Sequence, residues 1–473
     1  MRRRSVQTTA VLSWTPRSPW LAVKTLCWLL AVEIALAFLL GGSAALRPLL
    51  WPMVPGLALV IIPLAIWVLM APGSRPPIGA LALLSVVVLI PVLQLIPLPA
   101  SVWTGLPFRD RVVELLQASG LQPGPMPFSL SPEQTWEAFL WLLSPAAVFL
   151  GVAALDLRQR LWLASVVILI LIGSLTLATL QATSGYSPLF VVYKDNHERT
   201  PVGLFANRNH QAAALAVGLP LIAAVTMIWR RSFKGQWTLP QLTFIGLTAL
   251  FLVGILITTS RAGLAVGAIG LATALALYLI GPRAESKLKG QRWWLLAMAV
   301  LVVVIVQLGV GAVMLRFADV QEEGRFWIWG TVIKAIHASL PWGTGLGSFR
   351  SIYPAFEPIA NLSPSYVNEA HDEYLQLLLE MGLLAPALLV WFLGWVGVRL
   401  AAVRRNPDWN QAALAWAAAA GIAMLMIHSL ADYPLRTPAL SCVFALLCAC
   451  LVAPQALDGP RRSAAGHSKR DSA

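Results

Sequence analysis

The feature that most constrains the fold is a series of apolar stretches, each about 20 residues long, that recurs along the whole chain. A helix needs roughly 20 apolar residues to cross the hydrocarbon core of a bilayer. Twelve such stretches lie between charged residues, Pro and Gly. Because 58% of the 473 residues are hydrophobic and only 12% are charged, with a mean hydropathy of +0.73, a soluble globular protein is excluded.

These stretches predict an all-α polytopic membrane protein with about twelve transmembrane helices. The predicted spans are 22–42, 50–71, 78–98, 135–155, 161–181, 210–229, 240–259, 262–281, 293–315, 383–401, 411–431 and 438–454. Five regions follow along the chain. They are a cytoplasmic N-terminal segment (1–21), transmembrane helices one to nine (22–315), a large periplasmic loop with candidate catalytic motifs (316–382), transmembrane helices ten to twelve (383–454) and a basic cytoplasmic tail (455–473).

The net charge of +13 follows this predicted topology. Short cytoplasmic loops retain Lys and Arg, and most of the 34 Lys and Arg residues fall on one side when both termini are placed in the cytoplasm. The basic excess therefore needs no nucleic acid to explain it. The first span, which has no clear cleavage site, is expected to be a retained signal anchor. All four cysteines (Cys27, Cys442, Cys448 and Cys450) fall in predicted spans, so neither disulfides nor a zinc cluster is expected.

Several ionisable residues stand where the predicted spans meet the outside face, and their cost in a membrane makes them functional candidates. Arg208 precedes span six, Arg261 occupies the short turn between spans seven and eight, and Arg325 and His371 lie in the large loop. Guanidinium groups suit a diphosphate because they bind its oxygens in pairs and keep their charge. A histidine near carboxylates can accept a proton from a hydroxyl group. The set suggests an anionic lipid-linked donor and an alcohol acceptor.

Each of these signals also has a simpler interpretation. A single interfacial arginine is most often an anchor whose charge reaches the lipid headgroups. Helix packing or capping is the more typical role of single histidines such as His210, His337 and His428. The aromatic residues of 326–329 are more typical of the aromatic belt at a membrane interface. The GTGLG segment at 343–347 lacks the context of a nucleotide loop and is interpreted as a hinge. The residues alone therefore indicate a membrane enzyme or carrier for an anionic substrate.

Six short motifs, in order over residues 200–440, resemble those of the O-antigen ligase and polymerase superfamily of bacterial inner-membrane glycosyltransferases. They are GLFANRNH (203–210), TSRAG (259–263), GRFxxW (324–329), PWGTGLGSF (341–349), AHDEYLQ with EMG (370–376 and 380–382) and HSLADYP (428–434). Each motif alone is weak evidence for the family. The ordered set of motifs, together with the long outside loop between spans nine and ten, is specific to it. The first 200 residues match only in general character.

The resemblance implies a GT-C-like helical fold and a metal-independent, inverting transferase that needs no cofactor and no nucleotide. Such an O-antigen ligase would take a glycan from undecaprenyl diphosphate at the periplasmic face and transfer it to a hydroxyl of the lipid A core. By this analogy Arg208 and Arg261 bind the donor diphosphate and stabilise its developing charge. His371 would activate or orient the acceptor hydroxyl. Further substrate contacts are expected at Arg325, Asn209 and Tyr374.

One departure from the family pattern leaves the role of the histidine open. The family commonly has His-Asn where this chain has His371 and Asp372. The neighbouring carboxylate should favour the charged form of the histidine. His371 could then act as a base for the acceptor or contact the diphosphate as a cation.

Two other functions compete with ligation. An O-antigen or exopolysaccharide polymerase would use the same donor to extend a lipid-linked chain. A carrier or flippase for lipid-linked oligosaccharide would need charges at mid-membrane depth, whereas the polar residues here gather at one face, which favours an enzyme.

The expected partners are the undecaprenyl-diphosphate-linked donor, a glycan or lipid A core acceptor, membrane lipids and other polysaccharide assembly proteins, without nucleic acid. The expected location is the bacterial inner membrane, with a multi-pass chain, cytoplasmic termini and a periplasmic site.

Overall fold

The computed structural model describes residues 19–44, 49–193, 200–232, 238–280, 323–362 and 366–455. Over these ranges the chain is almost entirely helical, and eight of its helices are long and apolar enough to cross a membrane. The prediction of an all-α polytopic membrane protein is therefore confirmed. The ninth predicted span, 293–315, lies outside the described ranges, and the division into five regions remains a prediction.

The other eleven predicted spans each coincide with a helix. In chain order the helices are α1 (Pro19–Leu40), α2 (Met53–Leu69), α3 (Ile78–Gln94), α4 (Ala100–Trp103), α5 (Asp110–Ala118), α6 (Pro132–Ala153), α7 (Leu157–Thr183), α8 (Arg208–Ser232), α9 (Thr238–Ile257), α10 (Arg261–Ile280), α11 (Glu323–Ser339), α12 (Phe349–Ile352), α13 (Glu373–Met381), α14 (Leu384–Arg404), α15 (Trp409–His428) and α16 (Pro438–Leu451). Among the eleven, α2, α3 and α16 are the short members, with 17, 17 and 14 residues.

The segment between α3 and α6 folds over the same end of the bundle as α12. Its strands β1 (Pro97–Leu98) and β2 (Met126–Pro127) form a small antiparallel ribbon. The guanidinium of Arg111 lies 5.8 Å from the ring centre of Phe108 and 5.9 Å from that of Phe356, which follows α12. Cation–π contacts of this kind join the two segments.

The centre of the bundle is α8, because 83% of the residues in its apolar 18-residue stretch are buried. Its small side chains let α10 approach closely, because a Cβ placed on Gly263 of α10 would lie only 2.2 Å from the Cβ of Ala212. Small residues at helix contacts allow such backbone approach in membrane proteins. This packing sets the first turns of α8 and α10 side by side, and these turns begin at Arg208 and Arg261.

A buried arginine caps the opposite end of α16. The guanidinium of Arg160 is fully buried and donates from Nη1 to the carbonyl oxygens of Ala449, at 3.0 Å, and Val452, at 2.6 Å. The last carbonyls of a helix have no partner within the helix, so a donor here is stabilising. The sequence indicated only a basic loop residue at this position; the structure shows that it also holds α16 against the start of α7.

Candidate active site

Three segments of the chain meet around one carboxylate at one end of the bundle. The fully buried side chain of Asp432, between α15 and α16, accepts hydrogen bonds from Nδ2 of Asn209, at 2.6 Å, and of Asn207, at 3.2 Å. Nε2 of His210 and Nδ1 of His371 each lie 3.6 Å from its Oδ1. Asp432 thus connects the first turn of α8 with the loop that precedes α13.

A second set of hydrogen bonds joins α8 to α10. Asn207 accepts the backbone N–H of Asn209 on its side-chain oxygen at 2.8 Å, as a residue preceding a helix commonly does. Ser260 donates from Oγ to Oδ1 of Asn209 at 2.7 Å. These contacts hold the partly buried Arg208 and Arg261, which are the chain neighbours of Asn209 and Ser260, at adjacent helix starts.

The charge of Asp432 is set by two opposing effects. Burial disfavours the carboxylate, but the imidazoles of His210 and His371 outweigh burial and hold the pKa of Asp432 well below its usual range. Both imidazoles also meet the ring of Tyr433 edge-on, with ring centres 5.1 Å and 5.0 Å away. The site therefore places a buried carboxylate of lowered pKa between two histidines.

The backbone around His371 is held in an unusual conformation. His371 has a φ of +52°, in the left-handed region that few residues other than Gly adopt. The preceding residue, Ala370, is fixed at both polar atoms: its N–H donates to Oε1 of Gln376 at 2.8 Å, and its oxygen accepts from Nε1 of Trp329 at 3.1 Å. With 26% of its side chain exposed, His371 remains accessible to a ligand.

The structure corrects the expected pairing of His371 with Asp372. The carboxylate of Asp372 accepts the backbone N–H groups of Tyr374, at 2.9 Å, and Leu375, at 3.0 Å, and so caps the start of α13. The capping bonds direct this side chain to the helix, and the carboxylate that faces His371 comes from Asp432 instead. His210, which the sequence suggested to be a packing residue, faces the same carboxylate.

Two other candidate contacts lie on neighbouring elements. The hydroxyl of Tyr374 donates to the carbonyl oxygen of Met426 at 2.8 Å and ties α13 to α15. Arg325 lies on α11, and its side chain is outside the described part of the structure. The substrate contacts expected for both residues remain predictions.

Next to the site is an ionic cluster that the motifs did not predict. Arg436 donates to Glu373 at 3.0 Å and, through two nitrogens, to both oxygens of Glu380 at 3.2 Å and 3.0 Å. Arg350 donates to Glu369 at 2.8 Å. Burial alone would lower the pKa of Arg436, but the three glutamates raise it above its usual value. The spacing of Glu373 and Glu380 on one helix was the available signal for a shared arginine.

A cavity of about 430 Å³, which we call the apolar cavity, borders this cluster. Side chains of α3, α6, α14 and α16 form most of its wall. Four charged residues of the cluster, Arg350, Glu369, Glu373 and Arg436, also line it, and we call this charged part of the wall the mouth. The wall of the apolar cavity is therefore mainly apolar, and its mouth includes residues two positions from His371 in the chain.

The fold and the site together define a class of protein: a polytopic helical membrane protein with two arginine-bearing helix starts beside a histidine–aspartate pair. Residues 246–392 match the family model described as O-antigen ligase. The match confirms the resemblance carried by the sequence motifs and supports assignment of the chain to the O-antigen ligase family. It includes Arg261, Arg325 and His371. No curated protein matches the chain.

The match to this family model indicates a function of the O-antigen ligase or polymerase type in general, that is, a membrane glycosyltransferase-type enzyme. Many apolar helices and the family together indicate a multi-pass membrane protein.

Proposed function

We propose that this protein transfers a glycan from undecaprenyl diphosphate to an acceptor hydroxyl, without a metal ion, at the periplasmic face of the bacterial inner membrane. The observation that carries the proposal is the chain of contacts from Ser260 through Asn209 and Asp432 to His371. This chain links the two arginine-bearing helix starts to the histidine. A donor diphosphate and an acceptor hydroxyl could therefore be held side by side.

The arginine side of the site suits the donor. A helix start carries free N–H groups and partial positive charge, which favours anions. Arg208 and Arg261 each occupy the first position of a helix, and the two helices begin next to each other. Together they would bind the diphosphate and stabilise the negative charge that develops on it as it leaves.

The histidine side of the site suits the acceptor. Asp432 faces Nδ1 of His371, so the other ring nitrogen, Nε2, is the one that would receive a proton. In the proposed step the acceptor oxygen forms a bond to the anomeric carbon, on the face opposite the diphosphate. The bond from that carbon to the diphosphate oxygen breaks, and its electron pair leaves with the polyprenyl diphosphate. The acceptor proton passes to His371 and then to water.

Donor binding and transfer, measured separately, test these roles. We expect Arg208→Ala and Arg261→Ala each to weaken binding of a fluorescent polyprenyl-diphosphate glycan by about tenfold or more, since each removes a charge-assisted contact. His371→Ala should leave donor binding within about twofold and abolish transfer. Arg111→Ala, an exposed arginine of the same end, is the matched control.

If His371→Ala weakens donor binding as strongly as the arginine variants, the base role is wrong and the histidine contacts the diphosphate. If neither arginine variant weakens binding, the proposed donor site is wrong. Offering both a lipid A core and a lipid-linked repeat unit as acceptors identifies the product as that of a ligase or of a polymerase.

A further inference from the structure

The apolar cavity has the composition of a site for a hydrocarbon chain. Leu83, Phe149, Phe392 and Phe444 belong to its wall, one from each of α3, α6, α14 and α16. One side of the cavity is formed by α14. Only 6% of the residues in the apolar 18-residue stretch of this helix are buried. Because Phe392 and Trp395 of this helix line the cavity, the helix lies between the cavity and the exposed apolar surface of the bundle.

One polar atom at the mouth of the cavity lacks a partner. The side chain of Glu373, which lines the cavity, is only 6% exposed. Its Oε1 accepts from Arg436, but its Oε2 is buried without a hydrogen-bond partner. A buried carboxylate oxygen without a donor is costly, so its position in a cavity wall indicates a ligand that supplies one.

The charges at the mouth indicate which ligand chemistry fits. Arg350 is paired with Glu369, and Arg436 is paired with Glu373 and Glu380, so both arginines of the mouth already bind carboxylates. A phosphate placed here would meet carboxylates, whereas a hydroxyl group can donate a hydrogen bond to one. The mouth differs in this respect from the two helix starts at which we place the donor diphosphate.

We propose that the apolar cavity holds a hydrocarbon chain of the acceptor, a membrane lipid with a hydroxyl-rich headgroup, and that Glu373 accepts a hydrogen bond from a headgroup hydroxyl. Glu369 and Glu373 are each two positions from His371 in the chain, so the segment that carries the histidine also supplies two residues of the cavity wall. The lipid's role as acceptor rests on the proposed function, but its binding does not.

Photo-crosslinking in phosphatidylcholine nanodiscs, at a pH above the value of about 7 to which the pKa of Glu373 is raised, tests this site without turnover. The probes are glucosyl diacylglycerol, phosphatidylethanolamine and phosphatidylcholine, each with a diazirine in one acyl chain. The glucosyl lipid should label peptides of α3, α6 or α16 about tenfold more than phosphatidylcholine, the effect of about one hydrogen bond to a charged group. Excess unlabelled glucosyl lipid should abolish this labelling in the unmodified protein. Absence of label from these helices would overturn the proposal, as would equal labelling by phosphatidylethanolamine, whose ammonium also donates hydrogen bonds.

Two pairs of variants separate the chain site from the headgroup contact. Ala146→Phe fills the cavity and should lower labelling about tenfold, whereas Ala272→Phe, on the exposed face of α10, should not. Glu373→Gln should remove the preference for the glucosyl lipid. Glu380→Gln removes a carboxylate from the same arginine but not from the cavity wall, and should retain the preference. A preference that survives Glu373→Gln in folded protein would contradict the headgroup contact.

Transfer assays on the same nanodiscs distinguish this inference from the proposed function. Cavity labelling without glycan transfer to any acceptor would contradict the proposed function alone. Transfer to a lipid acceptor without cavity labelling would contradict the cavity as its site.

Discussion

At the scale of single residues, Asp432 connects the parts of the candidate site. It is buried and charged, and it contacts both asparagines of the α8 start as well as two histidines. A buried carboxylate that faces a histidine fixes the ring orientation and stabilises the imidazolium formed during proton transfer. Asp432 is therefore expected to act through His371 as a positioning residue.

Replacing this carboxylate should impair the chemical step more than substrate binding. We expect Asp432→Asn to lower kcat by about 10²- to 10⁴-fold, the range for loss of general-base catalysis, with KM nearly unchanged. Because the two residues act as a unit, the double variant with His371→Ala should be no slower than His371→Ala alone. Rates from single-turnover assays on folded protein decide this, and fully additive losses would show that Asp432 does not act through His371.

The stability of the protein should depend on pH through Glu373. Burial raises the pKa of Glu373, Arg436 opposes this effect, and Glu380 and Glu369 add to it, so that the pKa rises from 4.5 to about 7. A raised pKa means that the folded state binds the proton more tightly, so this contribution is complete below about pH 4.5 and is lost as pH rises through about 7.

Glu373→Gln should remove that dependence. Relative to the variant, the unmodified protein should lose melting temperature between pH 5 and pH 8. Thermal melts in detergent at several pH values measure the difference, with Glu133→Gln, at an exposed position, as the control. A melting-temperature difference between the two proteins that stays constant over this pH range, or that changes in favour of the unmodified protein, would contradict the raised pKa of Glu373.

At this scale the sequence indicated residues that the structure brings together, while their roles in binding and catalysis stay predictions. Arg208, Arg261 and His371 stand in short motifs, and two of them begin helices that pack together. The partner of His371 could not be predicted from the nearest carboxylate, because Asp372 is engaged in capping α13. Asp432 belongs to the HSLADYP motif (428–434), but only tertiary packing brings it to the histidine.

At the scale of elements, the contact between α8 and α10 sets the spacing of the two arginine-bearing helix starts. Gly263 lies against Ala212, with no room for a Cβ between the two backbones. Any added side chain must push the helices apart or strain them. The geometry of the donor side therefore depends on a residue that carries no chemistry itself.

Adding one methyl group at this contact tests that dependence. Gly263→Ala should destabilise the protein by about 1–3 kcal/mol and lower glycan transfer. Gly246→Ala is the matched control, because a Cβ at Gly246 of α9 meets nothing within 4 Å and alanine favours helix. Melting temperatures and transfer rates of the two variants decide the point. Equal stability and equal activity in both variants would show that the spacing is not critical.

Apolar length predicted the membrane helices well, because a bilayer imposes a minimum span on any helix that crosses it. The helix boundaries differ from the predicted ones where polar residues extend a helix. For example, α6 begins at Pro132, whereas the predicted span begins at residue 135. The short helices α4 and α5 and the β1–β2 ribbon were not predicted. They lie in a segment whose packing against the α12 region depends on distant aromatic contacts rather than on local hydrophobicity.

At the scale of the whole molecule, one polar segment, residues 369–373, contributes both to the candidate site, through His371, and to the wall of the apolar cavity, through Glu369 and Glu373. The donor would approach from the helix starts of α8 and α10, and the acceptor from the cavity between α3, α6, α14 and α16. In the proposed reaction, separate approaches would keep the two lipid-linked substrates apart until their headgroups meet at His371. Such an arrangement provides the alignment on which a transferase without covalent catalysis depends.

Glycan transfer by the purified protein tests the central claim most directly. The protein in nanodiscs would receive a synthetic polyprenyl-diphosphate glycan and a lipid acceptor in the presence of EDTA. We predict transfer despite the chelator, loss of transfer by a factor of about 10² or more in Arg208→Ala, Arg261→Ala and His371→Ala, and normal transfer in Arg111→Ala. Transfer that survives all three substitutions, or that requires added Mg²⁺, would contradict it.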